Sequence, residues 1–266
     1  MPLRFGAITE NSQDSGLLAY LLKDGLDSAE AVLVDDTGNY IHVSKFMRDV
    51  TSNERIGKFV FTLHRDEAKK ALEIIDVDIT LDSAEPVELR FLEKLADSSE
   101  SNEYYDVEAT AEGQHLQIET VNRHSIKGEI TDTTRMVRTS AFPFRLTVYE
   151  DMEALNKALG FHERKIGDTD MTVGGLSDTF AAPGSLAGGD YDGEVFSFLV
   201  GVVKAVREVS VSFGERTLSF AVIQLNSALG LLPVAAGHEV FDLNGLAPGS
   251  AIAMYADIKA DFAVDQ

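Results

Sequence analysis

The chain has 266 residues, a formal net charge of −21 and no cysteine. The acidic excess is spread along it: residues 1–150 hold 16 basic and 28 acidic residues, a net of −12, and residues 151–266 hold 7 and 16, a net of −9. Such a surface argues against duplex DNA and membranes as partners, since binding polyanions relies on Lys and Arg to displace counterions. Without cysteine there is no disulfide, thiolate metal site or cysteine nucleophile, which fits a reducing, cytoplasmic setting.

Residues 3–8 read as a first strand, too polar beyond Glu10 for a signal core. Leu17, Leu18, Leu21 and Leu22 recur at helical spacing behind a cap at Asp14 or Ser15, with Gly25 as the stop. Residues 31–34 and 40–43 are short apolar runs around Asp35-Asp36-Thr37-Gly38-Asn39, a hairpin with glycine where φ must be positive. Residues 59–63 are β-prone. Residues 65–75 shift to helical spacing, with Ala68, Ala71, Leu72 and Ile75 opposite Asp66, Lys69, Lys70 and Glu73. Five β runs follow at 77–81, 87–92, 104–109, 115–121 and 126–130, with a serine-rich acidic loop over 96–103. Residues 136–149 read as a strand with a bend or edge at Pro143, and residues 150–159 as a short helix ended by Gly160.

The texture then changes. Residues 167–193 contain seven glycines and five aspartates in 27 positions, the mark of a linker or a functional loop. Beyond it, strands are expected at 195–211, 216–225, 231–235 and 251–258. Val209, Val211 and Phe213 alternate with serines, and Leu218, Phe220 and Val222 alternate after the Gly214-Glu215 break, so this pair reads as a hairpin with one buried face. Residues 218–236 are apolar enough to raise a membrane span, but Gln224, Asn226, Gly230 and Pro233 interrupt them and two strands explain them better. Gly201 sits mid-strand, where a small barrel coils sharply. The pattern is loosely similar to OB-like or other short Greek-key barrels, with a clear fifth strand missing after Ile258. The expected fold class is α+β, predominantly antiparallel β: a mixed domain over 1–160, a Gly/Asp-rich linker or loop over 161–190, and a small β-barrel-like domain over 191–266.

No P-loop, dinucleotide fingerprint, nucleophile elbow or zincin helix is present. Asp168, Asp170, Asp190, Asp192 and Glu194 form the sharpest acidic cluster, and hard cations such as Ca or Mg take such oxygen ligands, although turn formation and solvation are the more ordinary reason for aspartates among glycines. The histidines are scattered, and those in strands, His42 and His115, are expected to be partly exposed. The locally basic stretch carries Arg123, Lys127, Arg135, Arg138 and Arg145, fit for a carboxylate, a phosphate or an acidic partner surface, or for intramolecular pairing. Arg135 and Arg138, three apart, fall on opposite faces of a regular strand. With no Trp, a base-stacking platform is not expected. The balance points away from an enzyme that needs a cofactor. It favours a non-catalytic protein-binding or assembly module contacting another protein or itself. The alternative is an enzyme or small-ligand-binding protein with its site at 167–194, served by a divalent cation.

Overall fold

The computed structural model describes residues 7–8, 29–35, 38–66, 68, 70–82, 85–97, 102–109, 111, 113–121, 123, 126, 128–161, 163–166, 169–172, 175–187, 195–213 and 216–262. The first sheet is an antiparallel meander of β1 (Ala31–Val34), β2 (Tyr40–Arg48), β3 (Arg55–Asp66) and β4 (Ala71–Leu81). Gly38 turns the β1–β2 hairpin at φ 72°, as its sequence requires. Phe59, Phe61, Val77 and Ile79 are buried on one face of β3 and β4 as part of the main core, and Val60, Thr62, Asp76 and Asp78 are buried on the other.

The second sheet has nine strands: β5 (Val87–Asp97), β6 (Glu103–Ala109), β7 (Gln114–Val121), β8 (Thr133–Tyr149), β11 (Ala181–Pro183), β12 (Ser197–Phe213), β13 (Arg216–Ser227), β14 (Gly230–Ala236) and β15 (Ala251–Phe262). A separate two-stranded ribbon joins β9 (Glu163–Ile166) to β10 (Thr169–Thr172). The nine-stranded sheet closes on itself because β8 and β15, paired over twelve positions, are long enough to serve two neighbours on each outer edge. Towards Tyr149 and Ala251, β14 and β12 flank this pair; towards Thr133 and Phe262, β5 and β7 flank it. Two five-stranded circuits, β12-β13-β14-β8-β15 and β5-β6-β7-β15-β8, therefore share one wall. The fifth strand absent after Ile258 is β8, supplied from residues 133–149, and the sheet runs continuously across the boundary expected between 160 and 191.

The predicted C-terminal hairpin forms in register, Val209 opposite Phe220 and Val211 opposite Leu218, and residues 218–236 are two strands and a turn. At Gly201 a Cβ would lie 2.4 Å from the Asn226 carbonyl oxygen; close backbone approach, rather than bending alone, demands glycine there. The bulge in β12 falls just beyond, between Val203 and Ala205.

Two expectations are corrected. Residues 65–75 are not a helix but the β3–β4 hairpin, with Lys70 at φ 52° in the turn and Ala71 and Leu72 exposed at its tip. Residues 126–130 are not a strand, because the Arg123 guanidinium donates to the carbonyls of Ile126 (3.2 Å) and Gly128 (2.9 Å) and draws the segment into a turn. The fold is predominantly antiparallel β, as expected, and the α part of it is small: one α-helix among the described residues, α1 (Met152–Ala158), and a 3-10 turn at Gly184–Ala187. Asp151 caps α1 through the Ala154 amide, and Gly160 at φ 82° terminates it, as expected. The helix expected after Asp14 lies outside the described residues. No helix among the described residues is long and apolar enough to cross a membrane.

Candidate functional site

Strand parity builds a groove on the outside of the shared wall. Along β15, Ile252 and Met254 enter the main core, whereas Ala251 and Ala253 belong to a small second core on the opposite face, against which Tyr255 packs. In register, Tyr255 lies between Arg145 of β8 and Phe198 of β12, and Phe198 lies beside Ala182 of β11. One row thus runs Arg145–Tyr255–Phe198–Ala182 across four strands. The next row is Thr147–Ala253–Val200. Phe144 is skipped by the register at a bulge and turns its ring onto Phe196, 5.2 Å away and edge-on, which braces Tyr255 from the side.

Residues 151–161 and 175–187 fold over this face. Leu155 of α1 is fully buried in the second core. The Asn156 amide clasps the backbone of Leu176, accepting at 2.7 Å and donating at 3.4 Å. Val200 N–H donates to the Phe180 carbonyl and Gly184 N–H to the Phe196 carbonyl, both at 2.8 Å, and Gln114 brackets the segment through Thr179 and Ala181. Between cover and sheet remains a cavity of about 470 Å³. Small side chains, Thr147, Ala182 and Ala253, keep its floor low, while the rings of Tyr149, Phe161, Phe180, Phe198 and Tyr255 wall it. Leu159 and Leu186 sit at its lip, Leu186 at 79% exposure. Arg145 is the one charged side chain among the described lining residues, its guanidinium carbon 5.8 Å from the Tyr255 ring centre. The described lining residues include no carboxylate and no histidine to move a proton.

The five basic candidates do not converge. Arg145 enters the groove. Arg123 is tied to Glu103 at 2.9 Å, with burial and the hydrogen bond it gives to the Tyr105 oxygen acting on it in opposite senses and the net effect raising its pKa. Burial works to raise the Glu103 carboxyl, but hydrogen bonds from Lys94 and Tyr105 and the charge of Arg123 outweigh it and hold it below the usual range; burial and the same carboxylate push the Tyr105 phenol up to about 12. Arg135 pairs in register with Leu89 and Arg138 with Asp261, and no bulge separates them, so they face opposite sides. Ten residues of strand, about 30 Å, separate Arg135 from Arg145. Lys127 lies outside the described residues. So do Asp168, Asp190, Asp192 and Glu194; Asp170 is placed only as a backbone position in β10, opposite Lys165. Among the described residues no group of three or more His, Asp or Glu side chains is arranged to hold a metal ion. His42 is buried, not partly exposed, with Nδ1 3.1 Å from the Thr62 hydroxyl, whereas the His115 side chain is half exposed beside Asp106.

A second constellation was not foreseen. Beyond Tyr255 the same face of β15 reads Asp257, Lys259, Asp261 and meets the four-stranded sheet instead of α1. Lys259 is fully buried; its ammonium contacts Glu119 of β7 and lies 2.9 Å from Asp257 and 3.5 Å from Asp78 of β4. Asn102, also buried, donates to Glu119 at 3.3 Å, to Asp76 at 3.1 Å and to Asp78. At the rim, Lys58 pairs with Asp261, and Asp49 accepts from the Ser210 amide of β12 at 3.0 Å and from Ser52. The Ser210 amide first, then the Ser52 hydroxyl, hold the Asp49 carboxyl far below the usual range. Lys259 stands out in sequence as the one Lys or Arg after Arg216.

Comparisons with protein-family models, with curated proteins and with solved structures find no match to this chain.

Proposed function

We propose that the protein is a non-catalytic binding module whose groove takes a small apolar molecule bearing one carboxylate. The observation that carries this reading is the pairing of an aromatic-walled cavity of about 470 Å³ with a single cation, Arg145, at its edge. Ligand cavities are typically apolar, of a few hundred Å³, with few polar groups that fix orientation. A guanidinium stays charged and presents a fork that matches a carboxylate. On so acidic a chain, one cation among otherwise uncharged described lining residues selects for an anionic head locally. The absence of an acid–base pair from the described lining residues favours binding over turnover.

Calorimetric titration with octanoate, octanamide and octylamine tests this. Octanoate binds; Arg145→Ala weakens it about tenfold or more, the scale of one charge-assisted hydrogen bond, and leaves octanamide nearly unchanged. Ala253→Phe fills the floor and removes both. Equal affinity for all three head groups, or none for any, overturns the reading.

A second reading, contact with another protein chain, is favoured by β1. This edge strand pairs with β2 alone among the described strands, carries Ala-Val-Leu-Val without charge or proline, and exposes Val32 at 62% and Val34 at 51%. Unprotected apolar edges are templates for strand addition. Light scattering at high concentration should show self-association that Val32→Lys abolishes; a strict monomer removes this reading.

A further inference from the structure

The cluster around Lys259 has the parts of an acyl-transfer site closed within the chain. Lys259 and Glu119 are register partners on parallel strands, so their side chains leave the sheet together, and the amine meets the carboxyl. Asn102 donates to Glu119 Oε1 at 3.3 Å, where negative charge grows if the carboxyl carbon is attacked. Asp257 and Asp78 lie 2.9 and 3.5 Å from Nζ, within reach of its protons. Lys259, Glu119, Asp78 and Asn102 are at most 1% exposed. Buried charges lose their hydration, so a neutral amine and a neutral carboxylic acid compete with the ion pair there. Fixed proximity in a dry site replaces the entropy that makes amide formation slow in water.

We propose that Lys259 and Glu119 condense into an intramolecular amide that staples β15 to β7. The ammonium passes a proton to Asp257 or Asp78, and the freed Nζ lone pair attacks Glu119 Cδ. The N–C bond forms, the C–O bond to Oε2 breaks, and that oxygen leaves as water with two protons from the former ammonium. The third stays on the amide nitrogen. No oxidant, reductant or co-reactant is consumed. The staple spans 140 residues of sequence and closes the β5-to-β8 circuit covalently.

Intact mass spectrometry of the folded full chain, read after denaturation, decides the matter. The expected mass is one water, about 18 Da, below that of the sequence. A tryptic digest then yields one branched peptide joining the segments around 119 and 259. Lys259→Met and Glu119→Ala each restore the full sequence mass. A wild-type chain at full sequence mass overturns the proposal and leaves a plain ion pair, whether or not the variants fold. A loss of about 17 Da with the branch at Asn102 overturns the assignment of Glu119 as acceptor, since ammonia and not water would then have left.

Discussion

The two halves of β15 present the same alternation and opposite surfaces. Residues 252, 254, 256, 258, 260 and 262 all enter the main core. On the other face Ala251, Ala253 and Tyr255 lie under α1 as a small apolar floor, and Asp257, Lys259 and Asp261 lie under the four-stranded sheet as a line of charges. What covers a sheet face decides what that face can do. A seven-residue helix with an adjoining loop leaves space, which becomes a cavity; a second sheet leaves none, so the charges beneath it must satisfy one another.

The largest effect comes from breaking the charged half. Lys259→Met leaves Asp78, Asp257 and Glu119 facing one another without the group that joins them; as an ion pair that loses one partner this costs about 3–5 kcal/mol, and where the amide has formed the loss of the cross-link adds to it. Urea denaturation should show this. Adding Glu119→Leu should recover part of the loss, because an apolar pair can replace a buried ion pair with little penalty. A Lys259→Met chain as stable as the wild type would mean that the two halves of β15 do not differ as described.

The apolar half breaks more gently. Tyr255→Ala removes ring contacts to Phe196 (5.8 Å) and Phe198 (5.0 Å) but opens into an existing cavity. The expected cost is about 2 kcal/mol, below the roughly 3–5 kcal/mol of a fully enclosed aromatic. A loss as large as that of Lys259→Met would show that the groove is a closed core.

Much of this was legible and the rest was not, for reasons visible in single residues. The hairpin of β12 and β13 follows from alternation, because near its turn Val209 and Val211 face Phe220 and Leu218 on the covered side while Ser210, Thr217 and Ser219 lie on the other. Asp257-Ile258-Lys259-Ala260-Asp261 shows the same clean alternation and so reads as a wet strand; nothing local says that another sheet lies on it. Leu72 misled for the converse reason: with Ala68, Ala71 and Ile75 it imitates a helical stripe, yet it is an exposed hairpin-tip residue, 52% accessible. The groove could not be read at all. Its central row takes one residue each from β8, β15, β12 and β11, and only cross-strand register brings positions 145, 255, 198 and 182 side by side. Arg145 was singled out for its charge, but the partners that give that charge a role are 37 or more positions away.

Asp49 sharpens the comparison by asking whether the two sheets dock through buried charges alone or also through their rim. Its carboxyl is stabilised in the folded state, so its pKa there lies far below the unfolded value of about 3.9. The stability it contributes is present in full above that unfolded value and is lost as pH falls through the folded one. The gap between wild type and Asp49→Asn should therefore be constant from pH 5 to 8 and shrink below about pH 4. Urea midpoints at pH 7 and pH 3 check this, and a gap that widens in acid would contradict the hydrogen bonds from Ser210 and Ser52.

The smallest effect on stability, and the most informative for function, belongs to Arg145→Ala. The side chain is exposed, and it lies over the Tyr255 ring at a distance where the attraction is weak in water. Thermal unfolding should move by no more than about 0.5 kcal/mol equivalent, as for an ordinary surface substitution. The apolar half of β15 would then separate its two roles: Tyr255 holds the groove open and Arg145 orients what enters it. A large stability loss on removing Arg145 would instead make it a structural clamp on the bulge at Phe144, and its charge would no longer be available to a ligand.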